Sequence, residues 1–211
     1  MSAADLKKKI LKPTKREALK CAALKLFSEK GFHAVSTKEL SEKAKANISL
    51  ISFYFGSKKG LLQNLFEELS QHQIFDTDRL FSGPINSREE LEQKTYNFLK
   101  ELTDFFSQHH ELLILFFCEL ELESQEAQDL FPKTFVGLYQ SFMAFLEKAK
   151  SQGLISAETD IEILSLRTIS PISSLLRSFK SSKQHFHISL KNPEFREKLI
   201  ATIAKDVAYK N

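Results

Sequence analysis

The stretch from Ser36 to Lys58, STKELSEKAKANISLISFYFGSK, constrains the fold of this chain more than any other. Ser36 and Glu39 stand at capping-box spacing, which predicts a helix start. Leu40 and Ala44 then fall at i and i+4, a narrow apolar stripe for a neighbouring helix. Asn47 is a second N-cap residue type. It opens a helix in which Ile48, Ile51 and Phe55 are expected to face inward, with Ser49, Leu50, Ser52, Phe53 and Tyr54 pointing elsewhere. Two helices this short do not stand alone in water. Lys12–Lys30 supplies a third, with Leu19, Ala22, Ala23, Leu26 and Phe27 at helical spacing, Gly31 as its stop and Phe32 folding back onto it. A short second helix with small polar and aromatic side chains on its free face has the form of a helix-turn-helix reading head.

Charge supports that reading. The net charge of +3 hides an asymmetry: residues 1–62 carry 14 Lys and Arg against 5 Asp and Glu, whereas the remainder carries 16 against 22. A basic N-terminal third on an acidic remainder predicts a polyanion-binding head on a body that avoids polyanions. Lys58, beside a helix N-terminus, combines a cation with exposed N–H donors and so forms a phosphate site. Asn47, Ser49 and Ser52 are of the types that read base edges, and Leu50 and Phe53 can touch thymine methyl groups.

Beyond the head the chain reads as all-α, with nine or ten helices in total. A break at Gly56–Gly60 precedes a long helix through Leu61, Leu62, Leu65, Phe66 and Leu69, expected to run to near Leu80. Ser82-Gly83-Pro84 is a turn, and Ser87 with Glu90 starts a helix ending at His109-His110. Leu112 to Leu122 is expected to be a buried helix, with Glu119, Glu121 and Glu123 solvated. Gln125–Gln152 reads as one long helix that begins near or kinks at Pro132. Asp160–Lys180 is expected to bend at Pro171, and Asn192–Tyr209 is the last helix. Cys21 and Cys118, far apart in sequence, have no metal spacing and read as core packing. His185-x-His187 lacks convergent partners and reads as an exposed loop, so no metal and no cofactor are expected. No nucleophile elbow, metal-spaced His/Glu pair or Gly-rich dinucleotide fingerprint is present, and the expectation is a non-enzyme. No run approaches the about 20 apolar residues of a membrane span, and Lys7-Lys8-Lys9 stands where a signal peptide would place its apolar core; a cytoplasmic, non-membrane protein is expected.

Residues 12–66 resemble the DNA-binding domain of the TetR/AcrR transcriptional regulators. The resemblance is carried by Ala22-Ala23-x-x-Leu26-Phe27, Lys30-Gly31-Phe32, Ser36-Thr37-x-x-x-Leu40, Ala44 and the run Ile51-Ser52-Phe53-Tyr54-Phe55-Gly56-Ser57-Lys58-Lys59-Gly60-Leu61. It implies a homeodomain-like, three-helix DNA-binding domain over residues 1–60 and a helical ligand-binding and dimerisation domain over 61–211. It also implies that Thr37 donates to a phosphate, that Asn47, Ser49, Leu50, Ser52 and Phe53 face the major groove or its walls, and that Tyr54 and Lys58 grip phosphates. Lys38 and Lys45 complete the expected DNA-binding set. The family usually has Gly where this chain has Lys45, at a turn that often needs a positive φ; lysine there costs on the order of 1 kcal/mol and adds charge beside the DNA.

The resemblance further implies a homodimer on a near-palindromic operator in double-stranded DNA, held through helices 125–152 and 160–180, and a ligand-responsive repressor. Those two helices carry more apolar surface than one packing face needs, which fits a four-helix interface. Fifteen of the 19 Phe residues lie beyond residue 62. Tyr96, Phe98, Leu102, Phe105, Phe116, Phe117, Tyr139 and Phe142 are the candidates to line a cavity for an apolar effector, with Asn97, His109 or Cys118 as further polar partners; a fully packed aromatic core is the alternative. A competing reading keeps the fold but gives the head a protein-interaction or architectural role, with DNA contact secondary.

Overall fold

A computed structural model describes residues 13–71, 76–177, 190 and 192–209. Among these are eleven α-helices and one π-helical turn, with no strand. They group into two compact units: residues up to Leu69 with Glu111–Gln128, and Ser70–His110 with the chain from Asp129 onward.

The first unit is built on α1 (Lys15–Lys30). Thr14 and Glu17 form a full capping box at its start: the Glu17 N–H donates to Thr14 Oγ1 (3.2 Å) and the Thr14 N–H to Glu17 Oε2 (2.8 Å). Gly31, at φ 83°, ends the helix, and Phe32 returns to meet Phe27 edge-on at 5.2 Å. Ser36 caps α2 (Thr37–Ala44) by accepting from the Glu39 N–H at 3.1 Å. The Glu39 carboxylate turns to Lys30. Lys45 ends α2 in the left-handed region, φ 49° and ψ 47°, so the turn before α3 (Ser49–Phe55) does have the geometry that favours glycine. Asn47 Oδ1 accepts from the Ser49 N–H at 2.9 Å, the expected cap.

Helix α4 (Lys58–Gln71) follows at once, with Leu61, Leu62, Leu65, Phe66 and Leu69 buried. Gly60 permits this tight junction, because a Cβ there would collide with the Phe55 carbonyl oxygen. From the other segment of the unit, α7 (His110–Glu121) buries Leu112, Leu113, Leu115 and Phe116, and Phe116 meets Phe66 edge-on at 5.2 Å. The start of α8 (Gln125–Phe131) adds an ion pair from Glu126 to Lys59 at 2.7 Å. The expectation that Glu119 is solvated is corrected here: it is 2% exposed, on the face of α7 that carries Leu112, Leu115 and Phe116. Glu121 and Glu123 are exposed as expected.

In the second unit, Asp76 caps a separate short helix α5 (Thr77–Phe81), its carboxylate accepting from the Arg79 N–H at 2.9 Å. The expected single helix to near Leu80 is therefore interrupted, since Asp76 is non-helical and a new helix opens at Thr77. Helix α6 (Arg88–Gln108) opens on Ser87, which accepts from the Glu90 N–H, and is joined along its length to α11 (Pro193–Tyr209) by Tyr96–Glu197, Arg196–Asp104 and Tyr209–Glu89 contacts. The predicted Gln125–Gln152 helix is α8, a π turn (Pro132–Val136) and α9 (Gly137–Ser151) in succession. Pro132 has no N–H to give to the preceding turn, and the wider winding absorbs that loss. Helix α10 (Ile161–Arg177) passes through Pro171 without interruption. The core of the unit is a phenylalanine cluster, in which Phe98 stacks on Phe142 at 4.5 Å and Phe81 on Phe145 at 5.0 Å.

Cys21 and Cys118 are both exposed, against expectation. Cys21 lies about 100° around its helix from buried Ala22 and Cys118 about 200° from buried Phe116, so apolar neighbours in sequence did not place them inside. The His185 and His187 pair, and residues 178–180 of the predicted 160–180 helix, lie outside the described residues. Two substitutions test the local geometry. Gly60→Ala should lower the unfolding free energy by about 2–3 kcal/mol through overpacking; Lys45→Gly should raise it by about 0.5–1 kcal/mol by relieving the left-handed residue. Thermal and urea denaturation of the full chain would measure both.

Candidate nucleic-acid interface

Helix α3 is fastened to the head by one fully buried side chain, Ile51, 1% exposed. Phe55 is half-buried, with the Arg16 guanidinium 5.3 Å over its ring, and Arg16 also donates to Asn64 Oδ1. The rest of the helix is presented outward. Phe53 is 77% exposed, Tyr54 37%, and Asn47, Ser49 and Ser52 are exposed, with Leu50 half-buried. Phe53 and Tyr54 meet edge-on at 5.0 Å and form an aromatic tip. The Ser49 hydroxyl donates to Asn47 Oδ1 at 2.9 Å, leaving the Ser49 oxygen and the Asn47 amide N–H groups as acceptor and donors on the open face.

The head also exposes several cations. Lys38 and Lys45 are exposed, and Thr37 is half-buried at the first turn of α2, where backbone N–H groups have no helical partner. Lys43, in the last turn of α2, is also exposed and was missed by sequence reasoning, because nothing in a lone lysine on a helix distinguishes it from a solvated one. Lys15 donates to the Lys45 carbonyl at 2.7 Å and thereby steadies the left-handed residue. Ile48, expected to face inward, is 48% exposed. Its backbone is helical (φ −57°, ψ −33°), so helical spacing alone did not decide its burial.

Lys58 has a different environment from the other cations. Its ammonium donates to the carbonyls of Phe32 (2.9 Å) and Val35 (2.8 Å) and lies 4.3 Å from the Phe32 ring centroid. Burial holds its pKa below the usual lysine value, with the negative charge of Glu119 acting the other way. Lys58 thus ties the start of α4 to the turn between α1 and α2, and phosphate contact is not its main occupation in the free head.

Of the residues expected to line a cavity, four lie in the core of the second unit. Phe98 and Phe142 are 0% exposed and stacked on each other, while Leu102 (1%) and Phe105 (8%) are core. Phe116 and Phe117 belong to the first compact unit. The Tyr96 hydroxyl is bonded to Glu197, and that of Tyr139 donates to the Glu162 carbonyl at 3.2 Å. In the second unit an open cleft of about 300 Å³ is lined instead by Thr77, Phe81, Ser82, Ser141, Ala144, Phe145 and Lys148.

Residues 21–65 match the family model of bacterial regulatory proteins of the TetR family. Over that stretch the chain is similar to the family. That family is one of bacterial regulatory proteins, and the matched stretch holds α2 and α3. A probable HTH-type transcriptional regulator, YttP of Bacillus subtilis (strain 168), is 23% identical over 133 residues, 62% of this chain and 62% of that protein's own length. Among solved structures, the MbdR regulator from Azoarcus sp. CIB has a TM-score of 0.71 at 14% identity, covering 93% of this chain and 98% of that one. The TetR-family regulator PfmR from Thermus thermophilus gives 0.66 at 15%, covering 90% and 96%. FadR of Bacillus subtilis, solved with stearoyl-CoA, gives 0.63 at 17%, covering 92% and 98%. These likenesses establish the fold over nearly the whole chain.

Replacing Lys58 by Ala removes two charged hydrogen bonds, and the head should lose about 1–3 kcal/mol of stability. A drop in unfolding midpoint, with little change in the salt slope of duplex binding, is the expected pair of results.

Proposed function

We propose that this protein is a TetR-family regulator, a dimeric, ligand-responsive repressor that binds a near-palindromic operator. The observation that carries the reading is the exposed tip of α3, where Phe53 stands 77% clear of the protein among exposed Asn47, Ser49 and Ser52. Single exposed apolar residues are common. An exposed phenylalanine flanked by exposed side chains of base-reading types, in a head that also exposes Lys38, Lys43 and Lys45, is better accounted for by a groove that receives it. Thr37 and Tyr54 would position the head on phosphates, Asn47, Ser49, Leu50, Ser52 and Phe53 would specify sequence, and the lysines would supply the non-specific attraction.

In this reading residues 1–60 are the DNA-binding domain and 61–211 the regulatory domain, a division of function. By packing, α4 as far as Leu69 and Glu111–Gln128 go with the head. A dimer is supported by α10, where Ile163 is 63% and Leu166 52% exposed, one turn apart on one face. Such a pair is what a two-fold helix interface covers. Half-sites would then lie about 34–36 Å apart, or a multiple of that. An apolar effector suits the cleft beside Phe81, Ala144 and Phe145, with Lys148 at its rim. That FadR of Bacillus subtilis was solved with an acyl-CoA makes an amphipathic effector a reasonable class here. An effector that favours heads spaced wrongly for the operator weakens operator binding by that same preference.

Operator binding should weaken steeply as salt rises, and Lys38→Ala should reduce the slope by about one counterion for all sequences alike. Ser52→Ala and Phe53→Ala should change which duplexes are selected from a random pool. Binding that is indifferent to salt, with unaltered duplex selection in both variants, would favour a protein-interaction head. Replacing Ile163 and Leu166 together by Asp should convert the dimer to monomer by sedimentation; unchanged mass would remove α10 from the interface.

A further inference from the structure

Two consecutive cations, Lys15 and Arg16, occupy the first turn of α1. Carboxylates are favoured at that end of a helix and cations are not, so the pair stands against the helix dipole. The Thr14–Glu17 capping box holds the turn in which they sit. Each cation crosses to a different end of the reading helix α3. The Lys15 ammonium donates to the Lys45 carbonyl at 2.7 Å, in the left-handed turn that leads into α3. The Arg16 guanidinium lies 5.3 Å over the ring of Phe55, the last residue of α3, and donates to Asn64 Oδ1 on α4 at 3.1 Å. Successive residues point about 100° apart around a helix, which lets neighbours in sequence reach opposite ends of α3.

We propose that Lys15 and Arg16 are positioning residues for DNA reading, setting the direction of α3 by clamping both of its ends to the first turn of α1. Helix α3 has one fully buried side chain, Ile51, and a single such point is a pivot rather than an orientation. A tie ahead of the helix and another at its end remove the swing about that pivot. Positive charge in a head that binds DNA has a second use, contact with phosphates, and a helix N-terminus suits an anion. Lys15 and Arg16 are instead turned to a carbonyl, an amide oxygen and an aromatic face within the head. This role rests on the DNA-binding reading and adds to it two residues that meet no base.

Loss of one tie should free one end of α3 and leave the rest of the head closed, because local openings involve only the contacts that are removed. Lys15→Met keeps the aliphatic stem and loses the donor, so the amides that begin α3 should exchange faster. These are the Leu50 and Ile51 N–H groups, bonded to the Asn47 and Ile48 carbonyls at 3.0 and 3.1 Å. Arg16→Ala should act at the other end, on the Gly56 N–H that donates to the Ser52 carbonyl at 2.9 Å. Losing a net hydrogen bond or a surface cation–aromatic contact corresponds to about a three- to tenfold change in exchange. The Leu40 N–H, bonded to the Ser36 carbonyl at the start of α2, should keep its wild-type rate. In duplex selection, a tilted α3 should present Ser49 and Ser52 to different base edges. The preferred sequences should then change while the salt slope does not.

The test uses the full chain, with amide hydrogen exchange by NMR on the free protein and duplex selection from a random pool, for wild type, Lys15→Met, Arg16→Ala and Arg16→Lys. Lysine keeps the charge of Arg16 but not its planar fork, so Arg16→Lys should retain a phosphate contact and lose the clamp. Expected are faster exchange at the matching end of α3, altered duplex preference and a wild-type salt slope, with Arg16→Lys closer to Arg16→Ala than to wild type. Thermal melts check that the variants fold. A salt slope smaller by about one for Lys15→Met and for Arg16→Ala, with unchanged preference and a wild-type slope in Arg16→Lys, would make these residues phosphate contacts and overturn the proposal. So would exchange that is unaltered, or faster by the same factor throughout the head. If wild type selects no duplex while both ends of α3 open as expected, the DNA-binding reading has failed and the role in reading with it, although the clamp stands.

Discussion

A seven-residue helix does not hold itself together in water, and the whole reading head depends on how α3 is anchored. Its fixed points are few: Ile51 in the core, Asn47 capping its start, and the close passage of the Phe55 carbonyl over Gly60 into α4. Because so little of α3 is needed for anchoring, most of it is free for other contacts. Phe53, Tyr54, Ser49 and Ser52 can all stand outward only because Ile51 and the two flanking junctions suffice to hold the helix.

The same economy explains Lys58. In an isolated three-helix head, a lysine at the start of α4 would be one more surface cation. Here it bonds two backbone carbonyls in the α1–α2 turn and lies on the Phe32 ring. Hydrogen-bond acceptors with no helical partner are costly to leave bare, and an ammonium satisfies two of them at once. The turn before α2, the start of α4 and the Glu111–Gln128 segment are thereby parts of one packed unit rather than separate modules.

The phenylalanine-rich body shows how composition and arrangement part ways. Many aromatic residues admit two outcomes, a lined cavity or a stacked core. Phe98 on Phe142 and Phe81 on Phe145 take the second. Stacked rings give both dispersion and favourable quadrupole geometry, so closing the core around them is the lower-energy choice wherever partners can reach. What stays open is a cleft at the edge of that cluster, beside α5 and α9.

Local rules sufficed for the head. Capping at Ser36 and Asn47, the stop at Gly31, the buried face of α1 and Ile51, and the outward residues of α3 were all readable, because each depends on neighbours within about one helical turn. The positive φ at Lys45 was readable only through the family resemblance. What lay beyond sequence were features set by segments distant along the chain: the burial of Glu119, the use of Lys58 within the head, the exposure of Cys118 and Ile48, and the choice between cavity and core. Periodicity tells which residues share a face of a helix, but not what that face meets. A carboxylate among glutamates looks solvated until α7 is laid against the head, and a lysine looks free until a turn 23 residues earlier offers its carbonyl.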